Sequence, residues 1–269
     1  GLTTPNPMVG AVVVKRGQIV GNGYHRRAGG AHAEIEALAR AGKDAKGATL
    51  YVTLEPCCHL GLTGPCTETI IDAGIARVVY ADKDPDPRVN GRGARVLKTA
   101  GVRVTSGVCA QEARQLNEVH YHFHRTGRPL VVVKFAQSLD GRVATNNGDS
   151  RWISCPESLK LAHQLRAESC AVVVGSGTVI ADDPTLAVRR VKGAQPFRII
   201  MSSSLPFHRR FKLLQPGGDA ATIVATTEAA IRRVTKSRRW EGVAFLTVKS
   251  NGAGKLDIKD FVRNAARAG

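Results

Sequence analysis

The sequence places one imidazole and two thiols in an order typical of metal ligands. Glu34 follows His32 by two residues, and two Pro-Cys pairs lie downstream, ending at Cys57 and Cys66. Three protein ligands leave the fourth position of a tetrahedral zinc open to water, which distinguishes a catalytic from a structural site. Because zinc-bound water ionises near neutral pH, a nearby carboxylate can carry its protons. The pattern predicts a zinc-dependent hydrolytic site with His32, Cys57 and Cys66 as ligands and Glu34 as the catalytic proton carrier.

The loop between the two cysteines narrows this prediction. The signature of zinc deaminases is H-x-E followed by P-C-x-x-C, but here eight residues separate Cys57 from Cys66. This longer loop indicates one branch of that superfamily. Cys58 and His59 lie inside the loop as competing ligands, and we expect His59 to face the substrate and Cys58 to be packed. The other three cysteines lack metal spacing, and we expect them to be buried apolar residues: Cys109, Cys155 and Cys170.

Composition is that of an ordinary globular protein. The 269 residues are 43% hydrophobic and 23% charged, which predicts two domains. No apolar run approaches the roughly 18 residues that span a bilayer, and no signal peptide is visible, so we expect no membrane partner. Six cysteines, two of them assigned to metal, favour a reducing, cytoplasmic location. The chain begins at Gly1 without an initiator Met, and we expect the natural N-terminus to be missing.

The chain is strongly basic. Its net charge is +17, and the region from residue 189 onward carries seventeen Lys/Arg against five Asp/Glu. Such a surface attracts nucleic acid or phosphorylated small molecules. No aromatic side chains are interleaved with these charges, which disfavours a single-strand-binding surface. The charge alone decides little between these partners. We nonetheless expect no specific nucleic-acid partner.

Strand-like and helical segments alternate along the first half. A hairpin is predicted over 8–14 and 19–24, helices over 33–41, 66–73 and 93–100, and further strands over 49–53, 77–80 and 102–105. His32 and Cys66 thus each begin a helix, where the dipole favours a thiolate and an anionic hydroxide. This alternation predicts a three-layer α/β sandwich.

A break in the pattern marks a domain boundary. A polar helix over 111–128 ends at a Thr-Gly-Arg-Pro sequence, and a new strand is predicted over 130–135. We therefore predict domains at 1–126 and 129–269. His120, His122 and His124 alternate along the polar segment, but a helix would scatter them, so a metal site there is not expected.

Several motifs, in this order, resemble those of the bifunctional riboflavin-biosynthesis deaminase–reductase family. In the first half they are Thr4-Pro5-Asn6-Pro7-Met8-Val9-Gly10, His32-Ala33-Glu34, Glu55-Pro56-Cys57-Cys58-His59 and Pro65-Cys66. In the second half they are Lys134, Ser138-Leu139-Asp140-Gly141-Arg142, Ser150-Arg151-Trp152-Ile153 and Ala181-Asp182-Asp183-Pro184. The resemblance extends to about Arg189 and is weak beyond it.

The resemblance implies a cytidine-deaminase-like domain followed by a dihydrofolate-reductase-like α/β domain. It implies hydrolytic removal of the ring 2-amino group from a phosphoribosylamino-diaminopyrimidine in the first domain. It then implies NADPH-dependent reduction of the ribosyl group to ribityl in the second. Zinc and NADPH are the implied cofactors, and a phosphorylated pyrimidine is the implied substrate.

The resemblance also assigns roles to single residues. In the deaminase domain, Asn6 would bind the pyrimidine edge, with His25 and His59 as further substrate-side groups. Leu62 stands where the family usually has a basic residue, and the loss of that cation would weaken a phosphate contact. In the reductase domain the implied cofactor-binding residues are Ala136, Trp152, Thr178, Asp182 and Ser203. The implied substrate-binding residues are Ser150, Arg166, Leu186 and Arg189. The guanidinium groups of the two arginines suit a 5-phosphate.

The last part of the chain departs from the family. After a strand near 245–248 there is no acidic residue before a Gly pair, and only a helix over 258–268 follows. We therefore expect the reductase domain to be C-terminally incomplete, with weak or absent NADPH binding. Uncovered sheet edges favour a homo-oligomer. The alternatives are a deaminase with a non-catalytic reductase-like half and, in another class, a nucleic-acid deaminase.

Overall fold

A computed structural model describes residues 3–61, 64–150, 153–207, 210–215, 220–234, 240 and 242–268. Two of the predicted positions, Leu62 and Trp152, lie outside these residues. The chain divides into two compact units, one within residues 2–130 and one within residues 131–269. Within the described ranges, no helix has the length and apolar character needed to cross a membrane.

The first unit is built on a five-stranded mixed sheet in the order β2-β1-β3-β4-β5. Strand β1 pairs antiparallel with β2 and β3, and the pairs β3–β4 and β4–β5 are parallel. The predicted hairpin and the predicted strands that follow it are confirmed. The strands are β1 (Gly10–Lys15), β2 (Gln18–Tyr24), β3 (Thr49–Leu54), β4 (Arg77–Asp82) and β5 (Arg103–Ser106).

In the described part of the first unit, five α-helices accompany this sheet. The helix predicted over 33–41 has those bounds, whereas the polar helix predicted over 111–128 is two helices separated at Asn117. Asn117 is buried, and its side-chain amide exchanges hydrogen bonds of 2.8 Å with the backbone N–H and carbonyl of Met8. The helices are α1 (Ala33–Ala41), α2 (Cys66–Asp72), α3 (Arg92–Thr99), α4 (Ala110–Leu116) and α5 (Glu118–Thr126).

Helix α5 was predicted to scatter its three histidines, but it brings two of them together. His120 and His124 are one helical turn apart and share a face, with ring centroids 4.5 Å apart. His120 Nε2 lies 3.0 Å from the Asp84 carboxylate in the loop after β4. Within the described residues, the partner of His120 is therefore a carboxylate of its own unit.

Helix α1 lies unusually close to strand β2. Two glycines of β2, Gly21 and Gly23, face the helix backbone where any Cβ would collide with it. A Cβ on Gly21 would lie 2.2 Å from the Ala37 carbonyl oxygen, and one on Gly23 would lie 2.5 Å from the Ala33 carbonyl oxygen. The two glycines therefore set the distance between the sheet and the helix that follows His32.

The second unit contains a parallel sheet in the order β6-β7-β8-β9. Consecutive residues of β7, Ile199 and Ile200, belong to separate buried clusters, so both faces of the sheet are covered. The strands are β6 (Ala171–Gly175), β7 (Phe197–Met201), β8 (Thr222–Thr226) and β9 (Ala244–Thr247). The helices are α6 (Pro156–Glu168), α7 (Ser176–Asp182), α8 (Glu228–Val234) and α9 (Ile258–Ala268).

Two sequence predictions are wrong, one about a strand at the start of the second unit and one about the burial of three cysteines. The strand expected over 130–135 does not form: Val131, Val132, Val133 and Phe135 are exposed, because no strand among the described residues pairs with them. The cysteines expected to be buried are exposed instead. They lie at the ends of elements, where the chain reaches the surface: Cys109 before α4, Cys155 before α6 and Cys170 before β6.

Candidate zinc site and reductase site

The predicted metal ligands come together in the first unit. His32 is the residue before α1, Cys66 is the first residue of α2, and Cys57 follows β3 after the turn through Pro56. The Nδ1 atom of His32 lies 3.1 Å from Cys66 Sγ and 3.5 Å from Cys57 Sγ. All three ligand atoms lie within 4.8 Å of one another.

These distances suit a tetrahedral zinc ion. Zinc binds imidazole nitrogen at about 2.0 Å and thiolate sulfur at about 2.3 Å, so a tetrahedral nitrogen–sulfur pair is separated by about 3.5 Å. One nitrogen and two sulfurs form the donor set of catalytic zinc sites, with one position left for water. The residues of this chain therefore fit the metal in both chemistry and spacing.

Hydrogen bonds among the ligands already favour a thiolate. The pKa of Cys57 is held near 4 by a hydrogen bond from the Cys66 thiol, assisted by His32 and by the backbone N–H of Cys66 at 3.3 Å. The pKa of Cys66 is raised, because this thiol donates its proton to Cys57 and is buried. The hydrogen bond to Cys57 also raises the pKa of His32. The cluster is thus prepared for a cation.

Glu34 lies in the first turn of α1 and is almost fully buried. Burial raises the pKa of its carboxyl to about 7. A carboxyl with a pKa near the working pH can both accept and donate a proton. The arrangement is that of a proton carrier beside a metal site, as the spacing from His32 predicts.

Asn6 is oriented by His25. The Nδ1 atom of His25 lies 3.0 Å from the carbonyl oxygen of Ala31, so Nδ1 carries the proton and donates it. The Nε2 atom is then an acceptor for the Asn6 amide Nδ2–H at 3.1 Å. Within the described residues, the Asn6 side-chain carbonyl oxygen and second N–H have no hydrogen-bond partner, so both suit contact with a ligand. His25 is buried and uses both ring nitrogens within the protein, so its geometry suits orienting Asn6.

The cysteine loop contributes one further polar group. His59 is half-buried, and its Nδ1 atom is shielded from solvent without a hydrogen-bond partner in the described part of the chain. Such an atom is costly to leave unpaired, which is consistent with a ligand contact there. Cys58 is half-buried, and its Sγ donates to the backbone carbonyl of Arg88 at 3.7 Å.

The second unit gathers positive charge at the residues predicted to hold a phosphate. Burial and the nearby Arg189 lower the pKa of the half-buried Arg166, whose Nη1 lies 3.5 Å from the carbonyl oxygen of Ala187. His163 Nδ1 accepts a 3.1 Å hydrogen bond from the backbone N–H of Arg189. Leu186 is buried with a φ of 54°, a strained conformation of the kind that clusters at functional sites.

The predicted cofactor residues are partly gathered. Thr178 and Asp182 lie on α7, directly after β6, and Ser203 follows the adjacent strand β7. All three are exposed, and both the start of α7 and Ser203 follow the carboxyl ends of parallel strands, where α/β folds bind ligands. Ala136 and Ser150 lie in 130–150, a segment of turns without helix or strand. Among the described residues, no hydrogen bond or ion pair joins Ala136 or Ser150 to the other three.

Sequence reasoning missed three residues that hold these sites in place. Asn117 is tied to the segment that carries Asn6, and His163 is tied to Arg189. Glu55 precedes the Pro-Cys pair and binds the start of α3. The Glu55-Pro56-Cys57 motif was visible in the sequence, but its partners are distant along the chain.

The fold and site together define a zinc-binding deaminase domain joined to a second α/β domain. Residues 1–82 match the model described as the cytidine and deoxycytidylate deaminase zinc-binding region, and residues 129–269 match the RibD C-terminal domain. The chain belongs to the RibD family. The predicted fold class is therefore confirmed, with a deaminase-like domain followed by a dihydrofolate-reductase-like domain.

Relatives and solved structures agree with this assignment. The riboflavin biosynthesis protein RibD of Aquifex aeolicus is 54% identical over 227 residues, which cover 84% of this chain and 64% of that protein. RibD of Escherichia coli is 47% identical over 272 residues, covering 95% of this chain and 71% of that protein. The chain thus spans about two thirds of the length of these relatives.

Two solved structures resemble the chain over 99% of its length. A diaminohydroxyphosphoribosylaminopyrimidine deaminase/5-amino-6-(5-phosphoribosylamino)uracil reductase of Thermotoga maritima has a TM-score of 0.85 at 35% identity, and the chain covers 73% of it. RibD of Acinetobacter baumannii has a TM-score of 0.86 at 36% identity, with 72% of it covered.

Proposed function

We propose that this chain carries out two consecutive steps of riboflavin biosynthesis. The first unit would deaminate a phosphoribosylamino-diaminopyrimidine, and the second would reduce its ribosyl group to ribityl with NADPH. The observation that carries the proposal is the convergence of His32, Cys57 and Cys66 beside Glu34. Support for the whole sequence of steps comes from the family membership of both units.

In the deaminase unit, zinc held by His32, Cys57 and Cys66 would supply a Lewis acid that activates water at neutral pH. The Glu34 carboxyl would take a proton from that water and deliver it to the departing amine. Burial of Glu34 keeps its pKa near 7, so neither proton transfer is strongly uphill. The transfer would be completed at one carboxyl group that stays shielded from bulk solvent.

The substrate would be recognised by groups around this centre. The carbonyl oxygen and free N–H of Asn6 suit the donor–acceptor edge of a pyrimidine. His59 Nδ1 is available for a second polar contact, and His25 supports Asn6 from behind. A small phosphorylated pyrimidine agrees with these contacts, and we propose no specific nucleic-acid partner.

In the reductase unit, Arg166 and Arg189 would bind the substrate phosphate near Leu186 and Ser150. The proposal is supported by the effect of Arg189, which lowers the pKa of Arg166. An anion bound between two neighbouring guanidinium groups would offset the repulsion between them. The nicotinamide cofactor would lie at the carboxyl end of the sheet. Its proposed contacts are Ala136, Trp152, Thr178, Asp182 and Ser203.

The deaminase proposal is tested by ammonia release from the phosphoribosylated diaminopyrimidine, with and without a chelator. Glu34→Gln should keep one zinc per chain and lose at least 100-fold in rate, because only the proton carrier is removed. Glu36→Gln is the matched control, since Glu36 lies on the same helix and binds Arg26 at the surface. Loss of zinc from Glu34→Gln would make Glu34 a ligand and contradict the assigned role.

A second candidate is a deaminase whose reductase-like half does not react. The exposure of Val131, Val132, Val133 and Phe135 favours it, because an apolar segment lies unpaired beside the proposed cofactor residue Ala136. Fluorescence titration with NADPH separates the two proposals. Micromolar binding with turnover supports the bifunctional enzyme, and absence of binding supports the deaminase alone.

We propose functional domains over 1–126 and 129–269, a homo-oligomeric assembly and a cytoplasmic location. The exposed apolar residues of 131–135 would be covered in a homo-oligomer, and analytical ultracentrifugation tests this assembly. Fractionation of cells that express the protein tests the location.

A further inference from the structure

Glu55 is a buried carboxylate that the proposed reaction does not use. It lies between the end of β3 and the Pro56-Cys57 turn, with 3% of its surface exposed. Its Oε2 atom accepts the backbone N–H of Gly91 at 2.8 Å, and its Oε1 atom accepts the backbone N–H of Ala94 at 3.0 Å. A buried charge is costly unless both oxygens are bound, and here both are.

The residues on either side of this carboxylate are fixed as well. The backbone N–H of Glu55 donates to the carbonyl of Asp82 at 3.0 Å, which continues the pairing of β3 with β4. Gly93 approaches the Pro56 carbonyl so closely that a Cβ there would lie 2.1 Å from the oxygen. The start of α3 therefore holds Glu55 by hydrogen bonds and Pro56 by contact.

Cys57 is the next residue, and it is held from the other side by α2. Its carbonyl accepts the N–H of Thr67 at 3.1 Å, and its sulfur accepts the N–H of Cys66 at 3.3 Å. A zinc site tolerates ligand displacements of only about 0.2 Å. The placement of Cys57 Sγ thus depends on how firmly the preceding two residues are anchored.

We propose that Glu55 is a positioning residue for the zinc ligand Cys57. Its carboxylate joins the loop that carries the ligand to the start of α3, so that Sγ stays at the distance required by His32 and Cys66. The inference rests on the zinc site of the proposed function but assigns Glu55 a task that helix capping alone does not include. Removing the carboxylate should therefore loosen the metal more than it loosens the fold.

The test is the release of zinc from the full-length, zinc-loaded chain to an excess of a chelating dye. Glu55→Gln preserves shape, but its NH₂ group would face a backbone N–H, so one of the two bonds is lost. Removal of groups that support zinc ligands typically lowers metal affinity about 10- to 100-fold. We expect release at least tenfold faster than in the wild type. Glu55→Asp, which keeps the charge but reaches only one N–H, should be intermediate.

Glu112→Gln is the matched control, because Glu112 is an exposed carboxylate in the first turn of α4. Cobalt-substituted protein gives a readout independent of catalysis, since its visible absorption reports ligand geometry. We expect altered absorption in the Glu55 variants and none in the control. Thermal unfolding with and without zinc completes the set: the zinc-dependent rise in Tm should shrink in Glu55→Gln.

Three outcomes separate the possibilities. Equal losses of Tm with and without zinc, together with unchanged release and cobalt absorption, would reduce Glu55 to a helix cap and overturn the proposal. If Glu55→Gln does not fold, Glu55→Asp decides, and wild-type release from that variant would equally overturn it. A wild-type chain that holds no zinc would instead refute the proposed function, and the two failures are thereby distinguished.

Discussion

Gly23→Ala is expected to damage the deaminase site by displacing helix α1. The added Cβ would lie 2.5 Å from the Ala33 carbonyl oxygen and 2.7 Å from the Ala37 nitrogen. Both are backbone atoms, so no rotamer change relieves the contact. Because ordinary contacts begin near 3.4 Å, α1 must recede from β2 by about 1 Å.

This displacement has two separable consequences. Overpacking of a close contact costs about 1 to 3 kcal/mol, which for a unit of this size lowers Tm by roughly 4 to 12 °C. A shift of about 1 Å also exceeds the roughly 0.2 Å that a metal site accepts, and it can cost on the order of 100-fold in rate. His32 and Glu34 move with the helix, whereas Cys57 does not belong to it.

The assay compares Gly23→Ala with Gly10→Ala. Gly10 pairs with Tyr24 in the same hairpin, but a Cβ there would meet only Thr53 Cγ2 at 4.0 Å. The control should therefore keep its Tm, zinc content and ammonia release. If Gly23→Ala matches Gly10→Ala in all three measurements, the distance between helix and sheet does not set the site geometry.

Three other predictions follow from individual contacts. His25→Leu should lower deamination about 10- to 100-fold at unchanged zinc content, because Asn6 loses the acceptor that orients its amide. Arg166→Gln should raise the reductase KM for the phosphorylated substrate about 10- to 100-fold and leave ammonia release unchanged, since a charge-assisted phosphate contact is removed. Burial and the neighbouring Arg166, Arg189 and Arg190 lower the pKa of His163. His163 therefore binds a proton more readily in the unfolded chain than in the folded unit. Stability of the second unit should fall as pH decreases through the histidine range, and His163→Asn should flatten that dependence in pH-resolved unfolding.

Much of the deaminase site was predictable because its chemistry lies in short motifs. His32 and Glu34 share one helix start, and the Pro-Cys pairs announce turns at Cys57 and Cys66. Alternating strands and helices also predicted an α/β sandwich. Local pattern and local structure agree in this half of the chain, which is where sequence reasoning is strongest.

The supporting contacts were not predictable from local pattern. Asn117 reaches Met8 across 109 positions, and Glu55 reaches Gly91 across 36. No periodicity in the sequence links such pairs, since their proximity is created only by the sheet order. The strand expected over 130–135 failed for a related reason: its apolar residues satisfied the local rule, but a strand also requires a partner, and none of the described strands supplies one.

Charge balance links the metal to the stability of the first unit. Glu55, Glu34, Cys57 and Cys66 are four acidic groups within one buried region, and the structure neutralises them in different ways. Glu55 is bound by two backbone N–H groups, Cys57 is stabilised by hydrogen bonds, and the pKa values of Glu34 and Cys66 are raised by burial or by the neighbouring thiolate. A divalent cation favours the second thiolate, because its positive charge offsets the repulsion that keeps Cys66 protonated. Zinc binding should therefore release a proton and stabilise the fold together, so that metal affinity rises with pH as long as the ligands still compete with protons.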